Sequence, residues 1–293
     1  MKPIFFFFTV FGFSQAGLGA QKPPLKVYIS ADMEGVGGVS SWEVQALPKG
    51  REYEEFRRLM TKEVNAAIAG AFEAGATEVL VSDSHGDAQN LDVESLDPRA
   101  QLIRAWPRPL LMMEGVDSTF AAVAFVGYHS QEGRANAVLA HTFSGDVVIK
   151  LNGQEVPEAG FNAAAAGDLG VPVVFLSGDQ TICADAKALL GPIETAAVKH
   201  AFGFNSAQMI SPAASQEMIR AGVKRGVERR KEMKTFKLSH PVTLEIRFNE
   251  IKKAELASYI PGVQRVSGNT ISIVLPDMLA ASKLLTVFNS LRP

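Results

Sequence analysis

Carboxylate and imidazole side chains follow several short runs of β-branched and other apolar residues in this chain. The six residues concerned are Asp32, Glu34, His85, His129, His141 and Glu158. Because ligands bind outside the carboxyl ends of the strands in open α/β sheets, residues that are distant in sequence can meet there. Carboxylates and neutral imidazoles are common ligands of zinc in proteins. The sequence therefore predicts a metal-dependent enzyme.

The first acidic pair lies in the segment SADMEG, where Asp32 and Glu34 are two residues apart after the apolar run KVYIS. Residues two apart at the end of a strand point to the same face. Both carboxylates could therefore reach one metal ion, or one of them could bridge two ions. An isolated pair of this kind is more often a solvated acidic loop, so the pair alone is a weak signal.

Two histidines repeat this placement. His85 follows VLVSDS, and His129 follows AAVAFVGY. A lone histidine there is more often a structural residue, but two at equivalent strand ends favour a metal site. Asp83 could bind the second ring nitrogen of His85 or cap the next segment. Glu158 begins an alanine-rich predicted helix, where its ordinary role would be interaction with the helix dipole. His141 could act as an acid or a base, because imidazole titrates near neutral pH.

Strands and helices alternate along the chain and would position these residues. The sequence predicts strands at 25–31, 77–82, 101–104, 121–126, 147–151 and 171–177, and helices at 52–73, 158–169, 181–190 and 212 to about 234. Asn152-Gly153 predicts a tight hairpin turn. Segments 242–248, 252–259, 270–275 and 278–291 then alternate strand and helix. The predicted fold class is α/β, a three-layer, mostly parallel sheet followed by a smaller C-terminal α+β domain.

The amino terminus predicts export. Lys2 precedes the apolar stretch 4–13, which is too short to span a bilayer but has the length of a signal-peptide core. Small residues at Ser14 and Ala16 suit a signal peptidase, and Ala20 offers a second site. The predicted domains are a signal peptide at 1–20, a metal-binding α/β catalytic domain at 21–205, and a linking helix with the smaller domain at 206–293. The mature protein would be periplasmic or secreted, without stable membrane insertion.

The charge balance argues against nucleic acid as a partner. The formal net charge is -2 over 293 residues, which leaves no basic surface of the kind that binds phosphate backbones. The one marked basic run, 224–234, alternates with Glu and Met on a predicted helix and is typical of a solvated face.

Seven motifs occur in a characteristic order between residue 26 and about residue 212: SADMEG, VLVSDSHG, MEGVD, AFVGYHS, AHTF, LNGQEVPEAGFNA and TAAVKHAFG. Each is modest alone, but the ordered set resembles the dinuclear-zinc D-aminopeptidases, the type encoded with a dipeptide permease. The resemblance implies two zinc ions per chain, held by Asp32, Glu34, His85, His129 and Glu158, with Asp32 bridging. It implies His141 as a catalytic residue that is not a ligand. It also implies a ring-forming homo-oligomer that removes N-terminal D-residues from short peptides.

Two other classes of function remain open. Another two-metal hydrolase, an amidase or a phosphoesterase, could use the same ligands, although a phosphate site would normally add arginines or a glycine-rich helix start. An exported metal- or solute-binding protein without catalysis would not need His141. Lys199, in the last motif, could touch a substrate carboxylate or lie on the surface as an ordinary lysine.

Overall fold

The structure is a computed structural model, and it describes residues 24–143, 145 and 147–290. The predicted signal peptide and its two candidate cleavage sites lie outside the described residues. In the part of the chain that is described, no helix combines the length and the apolar character needed to cross a membrane.

The secondary structure follows the predicted alternation of strands and helices. In chain order the elements are β1 (Lys26–Ala31), α1 (Tyr53–Glu73), β2 (Glu78–Asp83), β3 (Ala100–Ile103), β4 (Phe120–Val126), β5 (Val147–Leu151), β6 (Gln154–Glu155), α2 (Glu158–Asp168), β7 (Val173–Asp179), α3 (Gln180–Leu190), β8 (Glu194–Gly203), β9 (Ser206–Met209), α4 (Pro212–Glu228), β10 (Val242–Phe248), α5 (Ile251–Ala257), β11 (Gln264–Arg265), β12 (Thr270–Leu275) and α6 (Met278–Ser290). A short π-helix, Trp42–Ala46, lies between β1 and α1.

The larger sheet has the strand order β3-β2-β1-β4-β7-β8-β9. Its strands pair in parallel except for β9, which pairs antiparallel with β8 at the edge. The apolar runs of β1, β4 and β7 are almost entirely buried, as expected for strands covered on both faces. Helices α1 and α4 pack together, as do α2 and α3. Right-handed crossovers place α1 and α3 on opposite faces, so the predicted three-layer, mostly parallel sheet is confirmed.

The smaller sheet is antiparallel and has the order β11-β12-β10-β5-β6. Helices α5 and α6 contact its strands β10 and β12. The predicted turn joins β5 to β6, with positive φ angles of 49° at Asn152 and 84° at Gly153. Because β5 pairs with β10 and β9 belongs to the larger sheet, both sheets cross the boundary predicted between residues 205 and 206. The division into two domains stays a prediction.

The structure differs from the prediction in strands β8 and β9 and at the end of helix α4. Strands β8 and β9 were not expected, since the segment ETAAVKHAFG mixes alanine, lysine and histidine without a continuous apolar run. Helix α4 ends at Glu228, and a short 3₁₀ turn at Arg230–Glu232 occupies the rest of the predicted helix. The end of the predicted helix carries charged residues with only Met233 buried, so it lacks an apolar stripe to pack on the core.

Candidate metal centre and its pocket

The six predicted site residues converge where the connections of the larger sheet diverge. The chain crosses from β1 towards one edge of the sheet and from β4 towards the other, so a crevice opens at the carboxyl ends of these neighbouring strands. Asp32 and Glu34 follow β1, His85 follows β2, His129 follows β4, His141 lies between β4 and β5, and Glu158 begins α2. All six are at least nine-tenths buried.

The side chains form two groups of three. In the first group, His85 Nδ1 lies 2.9 Å from Glu34 Oε2 and 3.3 Å from Asp32 Oδ1. The second group consists of His129, His141 and Glu158, and His129 Nε2 lies 3.4 Å from Glu158 Oε1. In each group, the potential ligand atoms lie within 4.8 Å of one another. Either group could therefore surround one metal ion.

Asp32 joins the two groups. Its Oδ1 faces His85, whereas its Oδ2 lies 3.2 Å from His129 Nε2. Among the described residues, neither Asp32 Oδ2 nor His129 Nε2 has a hydrogen-bond partner, although both atoms are buried. One carboxylate thus presents one oxygen to each group.

Main-chain carbonyl groups fix the orientation of the three imidazole rings. His85 Nε2 lies 2.7 Å from Ala46 O, His129 Nδ1 3.0 Å from Ser130 O, and His141 Nδ1 2.8 Å from Leu139 O. A carbonyl oxygen can only accept, so each of these ring nitrogens donates. The other nitrogen of each ring faces the carboxylates and can act as a metal ligand or exchange a proton.

Burial and close opposite charges shift the pKa values of the cluster in both directions. Burial, with the charge of Glu34, raises the pKa of Asp32. Burial alone would raise the pKa of Glu34, but the charge and hydrogen bond of His85 hold it well below its usual value. Burial alone would lower the pKa of His85 and of His129, yet the neighbouring carboxylates raise both well above the usual value. Glu158 has a lowered pKa because His129 outweighs burial.

Two glycines allow the loops after β1 and β4 to run back to back. The Gly35 N–H donates to Gly127 O at 2.7 Å. A Cβ atom on Gly35 would lie 2.1 Å from Tyr128 O, and one on Gly127, where φ is +73°, would lie 2.2 Å from Asp32 O. Real Cβ atoms do not approach main-chain atoms this closely. Because neither glycine has a side chain, the two loops can pack against each other, and Asp32 comes within reach of His129.

Lys199 holds the loop that carries Glu34. It extends from β8, is only 3% exposed, and its Nζ donates to the main-chain oxygens of Glu34, Val36 (3.1 Å) and Val39 (2.7 Å). Both interpretations from the sequence were wrong, because the ammonium group neither lies on the surface nor has an N–H left for a substrate carboxylate. No local pattern of residues indicates this role, since the bonded loop lies about 160 residues earlier.

Glu63 of α1 binds the same loop. Its Oε1 accepts hydrogen bonds from the Gly37 N–H at 3.0 Å and from the Ser215 hydroxyl. Its Oε2 has no hydrogen-bond partner among the described residues. Burial raises the pKa of this carboxyl group to about 6, against an ordinary value of 4.5.

A pocket of about 570 Å³ opens over the cluster. Its walls include the aromatic and apolar side chains of Trp42, Trp106, Leu111, Met112 and Phe143, and helix α6 contributes Thr286 and Asn289. Trp42 is a site residue that sequence reasoning missed. Its Nε1 donates to Glu34 Oε1 at 2.8 Å, and its ring meets His141 edge-on at 5.1 Å between centroids. The one signal was a tryptophan a few residues after the glycines that follow Glu34.

Comparison with known proteins assigns the chain to a family. The model of peptidase family M55, described as D-aminopeptidase, matches residues 25–287. This chain belongs to the D-aminopeptidase family. A D-aminopeptidase of Bacillus subtilis (strain 168) is 34% identical over 268 residues, which cover 91% of this chain and 97% of the relative.

A solved structure of the D-aminopeptidase family superposes on the same part of the chain. It is described as the Zn-dependent D-aminopeptidase DppA from Bacillus subtilis, a self-compartmentalizing protease. The TM-score is 0.88 at 34% identity, with 91% of this chain and 97% of that chain covered. The family and fold expected from the ordered motifs are therefore confirmed. The structure brings all six predicted site residues into one cluster.

Proposed function

We propose that this protein is a zinc-dependent aminopeptidase that binds two zinc ions per chain and releases an N-terminal D-amino acid from short peptides. Membership of the D-aminopeptidase family supports the reaction, and the Zn-dependent relative supports the metal. The observation that carries the two-ion arrangement is the position of Asp32, whose oxygens face His85 on one side and His129 on the other.

The residues of the cluster fit zinc. Carboxylate oxygens and imidazole nitrogens are ligands that zinc accepts in catalytic sites. Three carboxylates are buried together, and such a concentration of negative charge needs cations to balance it. The buried atoms Asp32 Oδ2 and His129 Nε2 are the ones that lack a hydrogen-bond partner among the described residues. We assign one ion to Asp32, Glu34 and His85, and the other to Asp32, His129 and Glu158.

When bound, two zinc ions would polarise the scissile carbonyl group and lower the pKa of a water molecule. His141 supplies the proton transfers. Its Nδ1 is committed to Leu139 O, so Nε2 faces the cluster, 3.9 Å from Glu34 Oε1 and from Glu158 Oε1. An imidazole nitrogen in this position can accept a proton from the attacking water and return it to the leaving amine.

The pocket favours a peptide amino terminus over a phosphate ester. Its lining contains Asp32, Glu34, Glu43 and Glu158, and no lysine or arginine lines it among the described residues. Zinc would balance the charges of Asp32, Glu34 and Glu158, which leaves Glu43 to attract a protonated α-amino group, whereas a phosphate group would lack the arginines that usually bind it. The pocket and the family together favour an aminopeptidase over the phosphoesterase and over a non-catalytic binding protein.

Metal analysis and a substrate panel test this function. Zinc-reconstituted protein should contain about two zinc equivalents per chain, and a chelator should abolish turnover. Matched alanyl dipeptides and p-nitroanilides should release D-alanine faster than L-alanine. The variant His85→Ala should lose zinc, whereas the control His200→Ala, at an exposed histidine outside the cluster, should keep it. Protein that binds no zinc would contradict the mechanism, and faster release of L-alanine would contradict the stereochemistry alone.

A ring-forming homo-oligomer that encloses the active sites is part of the proposal. It is supported by the solved relative, which is described as a self-compartmentalizing protease. Light scattering coupled to size-exclusion chromatography should give a mass several times that of the 31.5 kDa chain. A monomer at micromolar concentration would contradict this part of the proposal.

Export to the periplasm or the medium completes the proposal. It is supported by Lys2 followed by the apolar stretch 4–13 and by the small residues that precede residue 21. The family match begins only at residue 25. Sequencing the amino terminus of the protein from fractionated cells should find a chain that begins after residue 16 or residue 20. A chain that still begins at Met1 in the cytosol would contradict export.

A further inference from the structure

The π-helix Trp42–Ala46 contacts two of the proposed zinc ligands at once. The Trp42 indole N–H donates to Glu34 Oε1 at 2.8 Å, and Ala46 O accepts from His85 Nε2 at 2.7 Å. The short helix is closed at both ends, because Ser41 Oγ accepts from Val44 N and the Leu47 N–H donates to Trp42 O. Two ligands from different strands are therefore bonded to one five-residue element.

The bond from Trp42 determines which oxygen of Glu34 can reach a metal ion. Oε1 accepts from the indole, and Oε2 lies 2.9 Å from His85 Nδ1, on the side of the first group. Oε1 also lies 3.9 Å from His141 Nε2, close enough that a small rotation of the carboxylate would pair it with that imidazole. The indole N–H opposes this rotation because it holds Oε1 in place.

We propose that Trp42 is a positioning residue whose indole N–H holds Glu34 Oε1 away from His141 and leaves Oε2 directed towards the side of His85, where it would bind zinc. This inference rests on the zinc site of the proposed function. The role differs from that of a pocket wall, because it depends on the N–H group and not on the area of the ring. Second-sphere hydrogen bonds of this kind orient ligands, and their loss typically lowers metal affinity or activity about 10- to 100-fold.

The hydrogen bond of Trp42 and its ring contacts can be tested separately, because they involve different parts of the side chain. Its ring meets His141 and Phe204 edge-on, at 5.1 Å and 5.5 Å between centroids. A phenylalanine can keep part of these ring contacts but cannot donate to Glu34. The variant Trp42→Phe should therefore remove the positioning bond and leave much of the wall in place.

The test is zinc affinity, measured by competition with a chromophoric chelator. Trp42→Phe should bind one of the two ions about 10- to 100-fold more weakly than the wild type. The matched control is Trp106→Phe in the same pocket, whose indole donates at 2.8 Å to Gly86 O, a main-chain atom of a residue that is not a ligand. This control should keep the affinity of the wild type for both ions. Wild-type affinity at both sites in Trp42→Phe would overturn the inference.

A second measurement uses the native Trp42 side chain. The chain has two tryptophans, so Trp106→Phe leaves Trp42 as the sole tryptophan, whose emission can be excited apart from that of the four tyrosines. Zinc added to the metal-free form of that variant should change its emission, since the carboxylate that accepts the indole N–H through Oε1 would bind zinc through Oε2. Unchanged emission with zinc bound would contradict the inference even if Trp42→Phe failed to fold. If the wild-type protein itself bound no zinc, that result would contradict the proposed function and not only the role of Trp42.

Discussion

Glu63 is a buried carboxyl group that binds the loop carrying Glu34, and it should make the stability of the protein depend on pH. Burial raises its pKa in the folded protein to about 6, against an ordinary value of 4.5. Below pH 4.5 the group is protonated in both states. Between these pH values only the folded protein keeps the proton, so the free energy of unfolding falls as the pH rises. Above pH 6 the carboxyl group is ionised in both states, and the protein bears the full destabilisation caused by the buried charge.

The size of the effect follows from the difference between the two pKa values. At about 1.36 kcal/mol per pKa unit, the cost of ionised Glu63 is about 2 kcal/mol at neutral pH. Glu63→Gln cannot ionise, yet its amide oxygen can still accept from the Gly37 N–H and the Ser215 hydroxyl. Relative to the wild type, the free energy of unfolding of the variant should therefore rise by about 2 kcal/mol between pH 4.5 and pH 7.

Denaturant unfolding at a series of pH values measures this difference. Both proteins should be kept free of metal with a chelator and at one protein concentration, because ligand binding and assembly also change apparent stability. The same substitution at exposed Glu94 controls for the loss of one negative charge. If the wild type and Glu63→Gln give parallel curves from pH 4.5 to 7, the buried carboxyl group is not the source of the pH dependence and the reasoning fails.

Three further substitutions test the site. His141→Ala should keep its zinc but lose about 100- to 10,000-fold in kcat, the usual contribution of a general acid-base group; loss of zinc on metal analysis would make His141 a ligand instead. Gly35→Ala places a methyl group 2.1 Å from Tyr128 O and should lower both the melting temperature and the zinc content, whereas Gly203→Ala, in open space, should change neither. Lys199→Met leaves buried carbonyl groups without a donor and should lower the free energy of unfolding in urea by about 1–3 kcal/mol; an unchanged value would show that the loop does not need the ammonium group.

The sequence was sufficient for the elements that have strong apolar runs. Strands β1, β4 and β10 were predicted to within one residue, because their alternating or continuous apolar residues are buried in the core. Strand β8 was missed for the opposite reason. It carries a lysine and a histidine, and the burial of Lys199 depends on carbonyl groups of a distant loop. Patterns of residue type cannot reveal such long-range bonding.

The site residues also divide into those that local sequence patterns predict and those that depend on long-range contacts. Asp32, His85 and His129 could be found because each lies within three residues of the end of a strand that was itself predictable, and parallel strands must end at one edge of the sheet. Trp42 could not be found in this way. It lies on a short π-helix whose conformation no apolar pattern specifies, and its function depends on one hydrogen bond to Glu34.

The main-chain bonds to the three imidazole rings have a consequence for the kinetics of metal exchange. His85, His129 and His141 each donate to a carbonyl group from the ring nitrogen that faces away from the carboxylates, so an ion on the other nitrogen would not need to break these bonds. Departure of the ions therefore leaves the rings in the same orientation, and the raised pKa values of His85 and His129 return a proton to each of these two rings. Reloading requires loss of these protons but no search among side-chain conformations, so a chelated sample should regain activity on adding zinc without a slow refolding phase.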